Sequence, residues 1–202
     1  MADHYYTKDP SVKHAEQTWD FTLSGRNFTF KTDSGVFSKN TVDFGSRTLL
    51  DGAQQVEFPA GKILDVGCGY GPIGLALAAA QPERQFDMVD VNERALGLAR
   101  FNAQANRITN VNIFSSDVYE AVTQTDYAGI VTNPPIRAGK SVVHAILSGA
   151  YDHLAVGGCL LAVIQKKQGA PSAQKKMTEV FGNCEVILKK KGYFILKSVK
   201  VK

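Results

Sequence analysis

The stretch Lys62-Ile63-Leu64-Asp65-Val66-Gly67-Cys68-Gly69-Tyr70-Gly71-Pro72-Ile73-Gly74 decides how this chain folds. It opens on a short, apolar, β-branched run. After the glycines it continues as Leu75-Ala76-Leu77-Ala78-Ala79-Ala80, rich in good helix formers. That order reads as strand, glycine turn, helix. Glycine lets the backbone take positive φ and lets a ligand approach the main chain closely. The helix that follows opens its unpaired N–H groups toward the turn. A small ligand is therefore expected at Gly67, Cys68, Gly69 and Gly71.

Nearby acids narrow the chemistry of that ligand. Gly69-Tyr70-Gly71-Pro72-Ile73-Gly74 fits the G-x-G-x-x-G pattern of dinucleotide sites, a weak signal alone. Asp65 stands at the strand's carboxyl end, where its charge would repel a pyrophosphate. It suits a ligand with an ammonium group and no phosphate, such as S-adenosylmethionine. The next strand, Gln85-Phe86-Asp87-Met88-Val89, ends in Asp90, followed by Val91 and Asn92. An acid at this second strand end is placed to accept from ribose hydroxyls. Two alternatives stay open: a nicotinamide site, and a glycine turn that only packs helix on sheet. The first would need a hydride-handling residue, which the sequence does not offer.

The run Asp65-Val66-Gly67-Cys68-Gly69-Tyr70-Gly71 resembles the first motif of class I S-adenosylmethionine-dependent methyltransferases. The likeness continues through Asp90 into Asn133-Pro134-Pro135-Ile136 and covers most of the chain. With Ile136-Arg137-Ala138-Gly139-Lys140 added, it is similar to the small-domain RsmC-like group, which includes ribosomal RNA guanine-N2 methyltransferases. The resemblance implies S-adenosyl-L-methionine as cofactor and RNA as partner, either ribosomal RNA or an assembled subunit. Members of that group carry a second domain of the same fold, which 202 residues are too few to hold. Docking is then expected to fall to a homodimer, an N-terminal hairpin or a partner.

Bulk composition agrees with one compact domain: 44% of residues are hydrophobic and 21% charged. No apolar run has the length of a membrane span, and the start lacks the regions of a secretory signal. Cys68, Cys159 and Cys184 are three, without a C-x-x-C pair, which argues against a disulfide framework or zinc site. A reducing cytoplasm, no membrane and no metal are the expectations. A net charge of +4 permits nucleic acid as partner without requiring it.

Residues 1–18 read as a loose polar tail. Trp19, Phe21 and Leu23 alternate with polar residues, as do Phe28 and Phe30, around Ser24-Gly25-Arg26-Asn27. That pattern predicts a β-hairpin with one apolar face. A helix is expected over residues 41–50, capped by Asn40 or Thr41 and stopped at Gly52. The resemblance makes residues 1–52 a tail, hairpin and cofactor-covering helix, and 53–202 the methyltransferase domain. In it Phe37, Ser38 and Asp43 become candidates for the cofactor or base pocket. Asp43 serves equally as a carboxylate at a helix N-terminus.

From Lys62 onward strand and helix alternate. Helices are expected over residues 93–103 (Ala95, Leu98, Ala99 and Phe101 inward), 142–154 and 172–181. Strands are expected at 111–114, 127–132, 159–164, 185–189 and 193–201. Such alternation implies a Rossmann-like, open, mostly parallel α/β sheet with helices on both faces. The resemblance adds seven strands and an antiparallel last strand. Asp65, Asp90, Asp117 and Asn133 then converge at the carboxyl ends of the strands, where open α/β sheets bind ligands. Ser116 and Asp117 belong at the adenine edge in the family pattern, or Asp117 caps a helix over 118–120.

Asn133-Pro134-Pro135-Ile136 carries the chemistry. Neither proline can donate to a ladder, and each stiffens the residue before it. The Asn133 side-chain oxygen and the carbonyls beside it form a rigid set of acceptors for a planar NH₂ group. Holding both hydrogens aims the nitrogen at a methyl group, so no His, Cys or Ser nucleophile is needed. Ile136 stands where the adenine-N6 branch has an aromatic residue, which favours guanine and leaves stacking to Phe37. Arg137 and Lys140 follow, placed for backbone phosphates. Lys189, Lys190, Lys191, Lys197, Lys200 and Lys202 make the last stretch basic, with Lys166 and Lys167 near a strand end. They serve RNA binding or simply block edge pairing. The activity expected is N-methyl transfer to an exocyclic base amine, guanine N2 of small-subunit ribosomal RNA. A protein-glutamine or small-molecule N-methyltransferase, or a non-catalytic RNA-binding module, would use the same frame.

Overall fold

The structure is a computed structural model that describes residues 15–34 and 41–202. Most of the expected tail lies outside those residues, as do Phe37, Ser38 and Asn40. Two strands, β1 (Gln17–Leu23) and β2 (Arg26–Thr32), form the expected antiparallel hairpin. Ser24 at φ 50 and Gly25 at φ 80 turn it, as a two-residue hairpin loop demands. Phe28 and Phe30 are buried in stacked contact, and Trp19 packs on Phe30.

The remaining elements in chain order begin with α1 (Phe44–Ala53), β3 (Ile63–Val66), α2 (Pro72–Ala80), β4 (Phe86–Asp90) and α3 (Glu93–Ala105). They continue with β5 (Val111–Ser115), β6 (Tyr127–Thr132), α4 (Lys140–His153) and β7 (Leu154–Gln165). The chain closes with α5 (Ala170–Phe181), β8 (Glu185–Lys190) and β9 (Tyr193–Val199). The seven main strands lie in the order β5-β4-β3-β6-β7-β9-β8, parallel except for β9, which runs against both neighbours. Every residue of β3 and β6 is buried, as central parallel strands covered on both faces must be. Chain order reverses between β3 and β6, so a crevice opens at their carboxyl ends.

At Gly74 helix and sheet nearly touch. A Cβ there would meet Met88 of β4 at 2.7 Å, so the third glycine of the motif is a packing residue.

Four expectations need correction. Asp43 caps α1, its Oδ1 accepting from Ser46 N at 3.1 Å, in place of Asn40 or Thr41. Gly52 does not stop α1; it lies within the helix, and a Cβ there would meet Ile195 at 2.9 Å, so close packing on β9 accounts for the glycine. Phe101 faces outward at 43% exposure under the Lys31 ammonium, while Leu96 takes the inward position. Asp117 caps no helix, because residues 117–121 form a turn.

Candidate active site

The glycine turn is held from β4. Gly67 N and Cys68 N both donate to Val89 O at 2.9 Å, and Gly69 N donates to Asp90 Oδ2 at 2.9 Å. The other Asp90 oxygen accepts from Asn92 N at 2.9 Å. Burial pushes the Asp90 carboxyl above its ordinary value, against the pull of those backbone donors. Gly67 and Gly69 adopt φ 74 and 58, and a Cβ on either would meet nothing within 4 Å. Their bare backbone faces open space.

Asn133 leaves β6 just after Thr132, whose hydroxyl donates to Val66 O at 2.9 Å and ties the two switch-point strands together. The Asn133 amide reaches across to α1. Its Nδ2 donates to Asp43 Oδ1 at 3.2 Å and to Ser46 Oγ at 3.0 Å. Both amide hydrogens are thereby engaged, leaving Oδ1 as the group's remaining hydrogen-bonding atom. Gly45 makes the approach feasible, since a Cβ there would come within 3.0 Å of Asp43 Oδ1 and 3.5 Å of Asn133 Nδ2.

These groups border a cleft of about 410 Å³ at the switch point. Of the residues expected there, Asp43, Gly67, Cys68, Gly69, Asp90, Val91, Ser116, Asp117, Asn133, Pro134, Pro135, Ile136 and Arg137 line it. Asp65, Gly71, Asn92 and Lys140 do not. Asp65 is wholly buried behind the turn, with Oδ2 accepting from Gly74 N at 2.9 Å and Oδ1 without a hydrogen-bond partner among the described residues. Burial pushes it up to about 7, with the Asp90 charge adding to the rise and the Gly74 N–H opposing it. Gly71 caps α2, and Asn92 caps α3 by accepting from Arg94 N and Ala95 N. Both support the site from outside the cleft, and Lys140 is exposed at the start of α4.

Four further residues with polar side chains line the cleft that the sequence did not assign to it: Ser46, Tyr70, Gln168 and Tyr193. Ser46 would have followed from placing the α1 cap at Asp43. Tyr193 had no sequence signal, because only the antiparallel return of β9 carries it to this edge. Beyond β5, Ser116 Oγ donates to Val118 O at 3.0 Å and accepts from Ala121 N at 3.1 Å. This clasp holds Val118 at φ 51, an unusual conformation for a β-branched residue, on the cleft wall. Burial raises the Cys68 thiol well above its ordinary value, which is unsuited to a nucleophile. Among the described residues no group of three His, Cys, Asp or Glu would hold a metal ion, and no helix is long and apolar enough to cross a membrane.

Residues 27–197 match the family described as methyltransferase small domain. The chain belongs to that family. Over its whole length it is 55% identical to the uncharacterized protein YbxB of Bacillus subtilis, whose full length is also covered. It is 31% identical to the ribosomal RNA small subunit methyltransferase C of Vibrio parahaemolyticus, covering 91% of this chain and 53% of that one. Among solved structures, the Thermus thermophilus 16S rRNA N2 G1207 methyltransferase (RsmC), in complex with AdoMet and guanosine, superposes with a TM-score of 0.82 at 27% identity. That match spans 95% of this chain and 52% of the other. The methyltransferase domain thus spans about half the length of both RNA enzymes. Its class uses S-adenosylmethionine, and the cleft fits that donor. Bare glycine backbone at Gly67 and Gly69 leaves room for it, and Asp90 and Asp117 offer carboxylate acceptors at neighbouring strand ends.

Proposed function

We propose that this methyltransferase domain methylates an exocyclic amine of a ribosomal RNA base, and that the amine is guanine N2. One observation carries the reading: the Asn133 amide is turned so that its oxygen, rather than its NH₂, is left for the cleft. An acceptor fixed in that way selects a substrate that brings donor hydrogens. An exocyclic NH₂ brings two, one for Asn133 Oδ1 and one for the Pro134 carbonyl.

Gly67, Gly69, Asp90, Val91, Ser116 and Asp117 would hold S-adenosylmethionine, which would supply an electrophilic methyl group to the substrate nitrogen and keep the carbon–sulfur bonding pair as a thioether. Asn133 and Pro134 hold the nitrogen in place, and Asp43 and Ser46 hold Asn133. An aromatic amine is a weak nucleophile, so fixed orientation has to supply most of the acceleration. The proton is lost from the methylated nitrogen to water. Ile136, Val142 and Ile146 give an apolar wall to one side. Phe37 remains our proposal for the stacking partner, although it lies outside the described residues. The names of the RNA enzymes quoted above support the substrate class, and a neighbour holding guanosine supports the base.

The test is methyl transfer from labelled donor into naked ribosomal RNA, assembled subunits, DNA and protein, with the labelled position mapped. Label in N2-methylguanine is expected. Label in protein amides, or bound donor with no RNA labelled, would refute the proposal.

A further inference from the structure

The net charge of +4 conceals a divided chain. Residues 41–126 carry 11 Asp or Glu against 6 Lys or Arg, whereas residues 127–202 carry 12 Lys or Arg against 3 Asp or Glu. The sheet order makes this a division in space, apart from α1, which carries Asp43 and Asp51 onto the β7 and β9 side. Strands β3, β4 and β5 lie on one side of the switch point, and β6, β7, β9 and β8 on the other. The cleft straddles the boundary, with Asp90 and Asp117 on the acidic side and Arg137, Gln168 and Tyr193 on the basic side.

The basic residues are not equivalent. Lys190 pairs with Asp51 at 2.8 Å, Lys197 pairs with Glu185 at 2.9 Å, and Lys176 pairs with Glu179 at 2.8 Å. Lys200 donates to Leu154 O at 2.9 Å, at the sheet's opposite edge. Lys166 and Lys167 are exposed and have no ion pair among the described residues. They form the short turn that ends in the cleft-lining Gln168. Lys166 N donates to Gly192 O at 2.8 Å, which joins this turn to the β8–β9 loop bearing Lys191. The Lys191 ammonium lies 5.4 Å over the Phe44 ring, and that ring packs 5.5 Å from the cleft-lining Tyr193. Around the mouth from there, Ser172 meets His144 at 3.4 Å and links the first turn of α5 to the second turn of α4. The start of α4 carries Lys140, just after Arg137. No acidic residue occurs between Asn133 and Tyr151 or between Gln165 and Thr178.

We infer that Lys166, Lys167 and Lys191, continued by Lys140 and Arg137, form a phosphate-binding arc. It grips the single-stranded RNA backbone beside the target nucleotide, while the other C-terminal lysines contribute nothing specific. The inference rests on the proposed RNA substrate and adds which residues dock it. Phosphate contacts set register without reading sequence, and each one releases counterions from the strand.

The test compares two variants of equal charge by anisotropy, using a labelled 16-nucleotide single-stranded RNA from 50 to 200 mM KCl. The arc variant is Lys166→Gln, Lys167→Gln, Lys191→Gln; the control is Lys197→Gln, Lys200→Gln, Lys202→Gln. The arc variant should lower the slope of log affinity against log salt by about 2, from roughly 0.7 per phosphate contact. At 100 mM salt its affinity should fall by about tenfold or more, and the control should stay within about twofold of the parent. Calorimetric affinity for S-adenosylmethionine should be unchanged in both, which shows the fold intact. An unchanged slope in the arc variant, or an equal loss in the control, overturns the arc. Arc-dependent binding with no RNA methylated would instead overturn the proposed reaction and leave the arc standing.

Discussion

Asn133 illustrates how a side chain acquires a role through its neighbours. An unrestrained amide would present either edge to the cleft, and only the oxygen edge accepts from an amine. Ser46 and Asp43 fix that choice from α1. Ser46→Ala removes one anchor but neither the cap carboxylate nor the donor site. It should lower kcat by about tenfold, roughly one charge-neutral hydrogen bond, with donor affinity unchanged. Asn133→Ala should cost about 10²–10³ in kcat, the usual effect of deleting an orienting polar group. Single-turnover methyl transfer measures both, and a Ser46→Ala enzyme with parental kcat would remove the positioning role. Asp65 has a different consequence. Its folded value of about 7 stands above the ordinary 3.8 because of burial. Between those values the folded protein keeps a proton that the unfolded chain releases, so stability present below pH 3.8 declines as pH rises through 7. The decline is at most about 4 kcal/mol. Asp65→Asn mimics the protonated acid and should flatten that part of the profile. Urea unfolding at pH 4.5 and 8 measures it, and a variant that keeps the parental slope would show that Asp65 is not responsible.

Among the elements, the hairpin is tied to the domain by side chains rather than strands. Asn102 of α3 accepts from Lys31 N at 2.6 Å and donates to Lys31 O at 3.0 Å. One turn later Asn106 does the same to Thr29, accepting at 2.9 Å and donating at 2.8 Å. The helical spacing i, i+4 thus matches alternate residues of the β2 edge, and two amides replace a neighbouring strand. Asn102 also donates to Tyr70 O at 2.9 Å, which couples the hairpin to the glycine turn. Asn102→Ala should destabilise the fold by about 3 kcal/mol, because it orphans buried backbone groups. It should also weaken donor binding, whereas Asn106→Ala should spare the donor. Urea unfolding and calorimetry together decide this, and equal donor affinity in both variants would break the coupling. Local patterns made the hairpin, the strand–turn–helix unit and the strand ends legible, since period, turn residues and caps act over a few positions. What rides on distant pairing was not legible. Examples are the Asn102 bridge, the arrival of Tyr193 on β9, and the withdrawal of Asp65 behind the turn. Phe101 was misread for a related reason. The α3 face it occupies is partly covered by β2, and Lys31 from that strand lies over its ring.

At the scale of the whole molecule, the proposed reaction sets two electrostatic tasks across one crevice. A methyl donor carries an ammonium and a sulfonium, so an acidic half attracts it; an RNA strand is a polyanion, which the same half would repel. Placing β3, β4 and β5 on one side of the switch point and the lysine-bearing strands on the other would let the donor and the proposed RNA substrate reach the cleft from sides of opposite charge. The two interactions should then respond differently to salt. Polyanion binding releases counterions, at roughly 0.7 per phosphate contact for a single strand. Three to five contacts on the basic half imply that KM for RNA rises by tens-fold between 50 and 200 mM salt. Donor affinity depends on short contacts inside the cleft, where screening is weak, and should change by less than about twofold. Once RNA is saturating, kcat should be insensitive to salt, because the Asn133 lock and the glycine turn are internal to the domain. Steady-state methyl transfer across that range measures all three quantities. If KM for RNA and donor affinity weakened in parallel, the two ligands would share one electrostatic field and the division of the molecule would have no functional meaning.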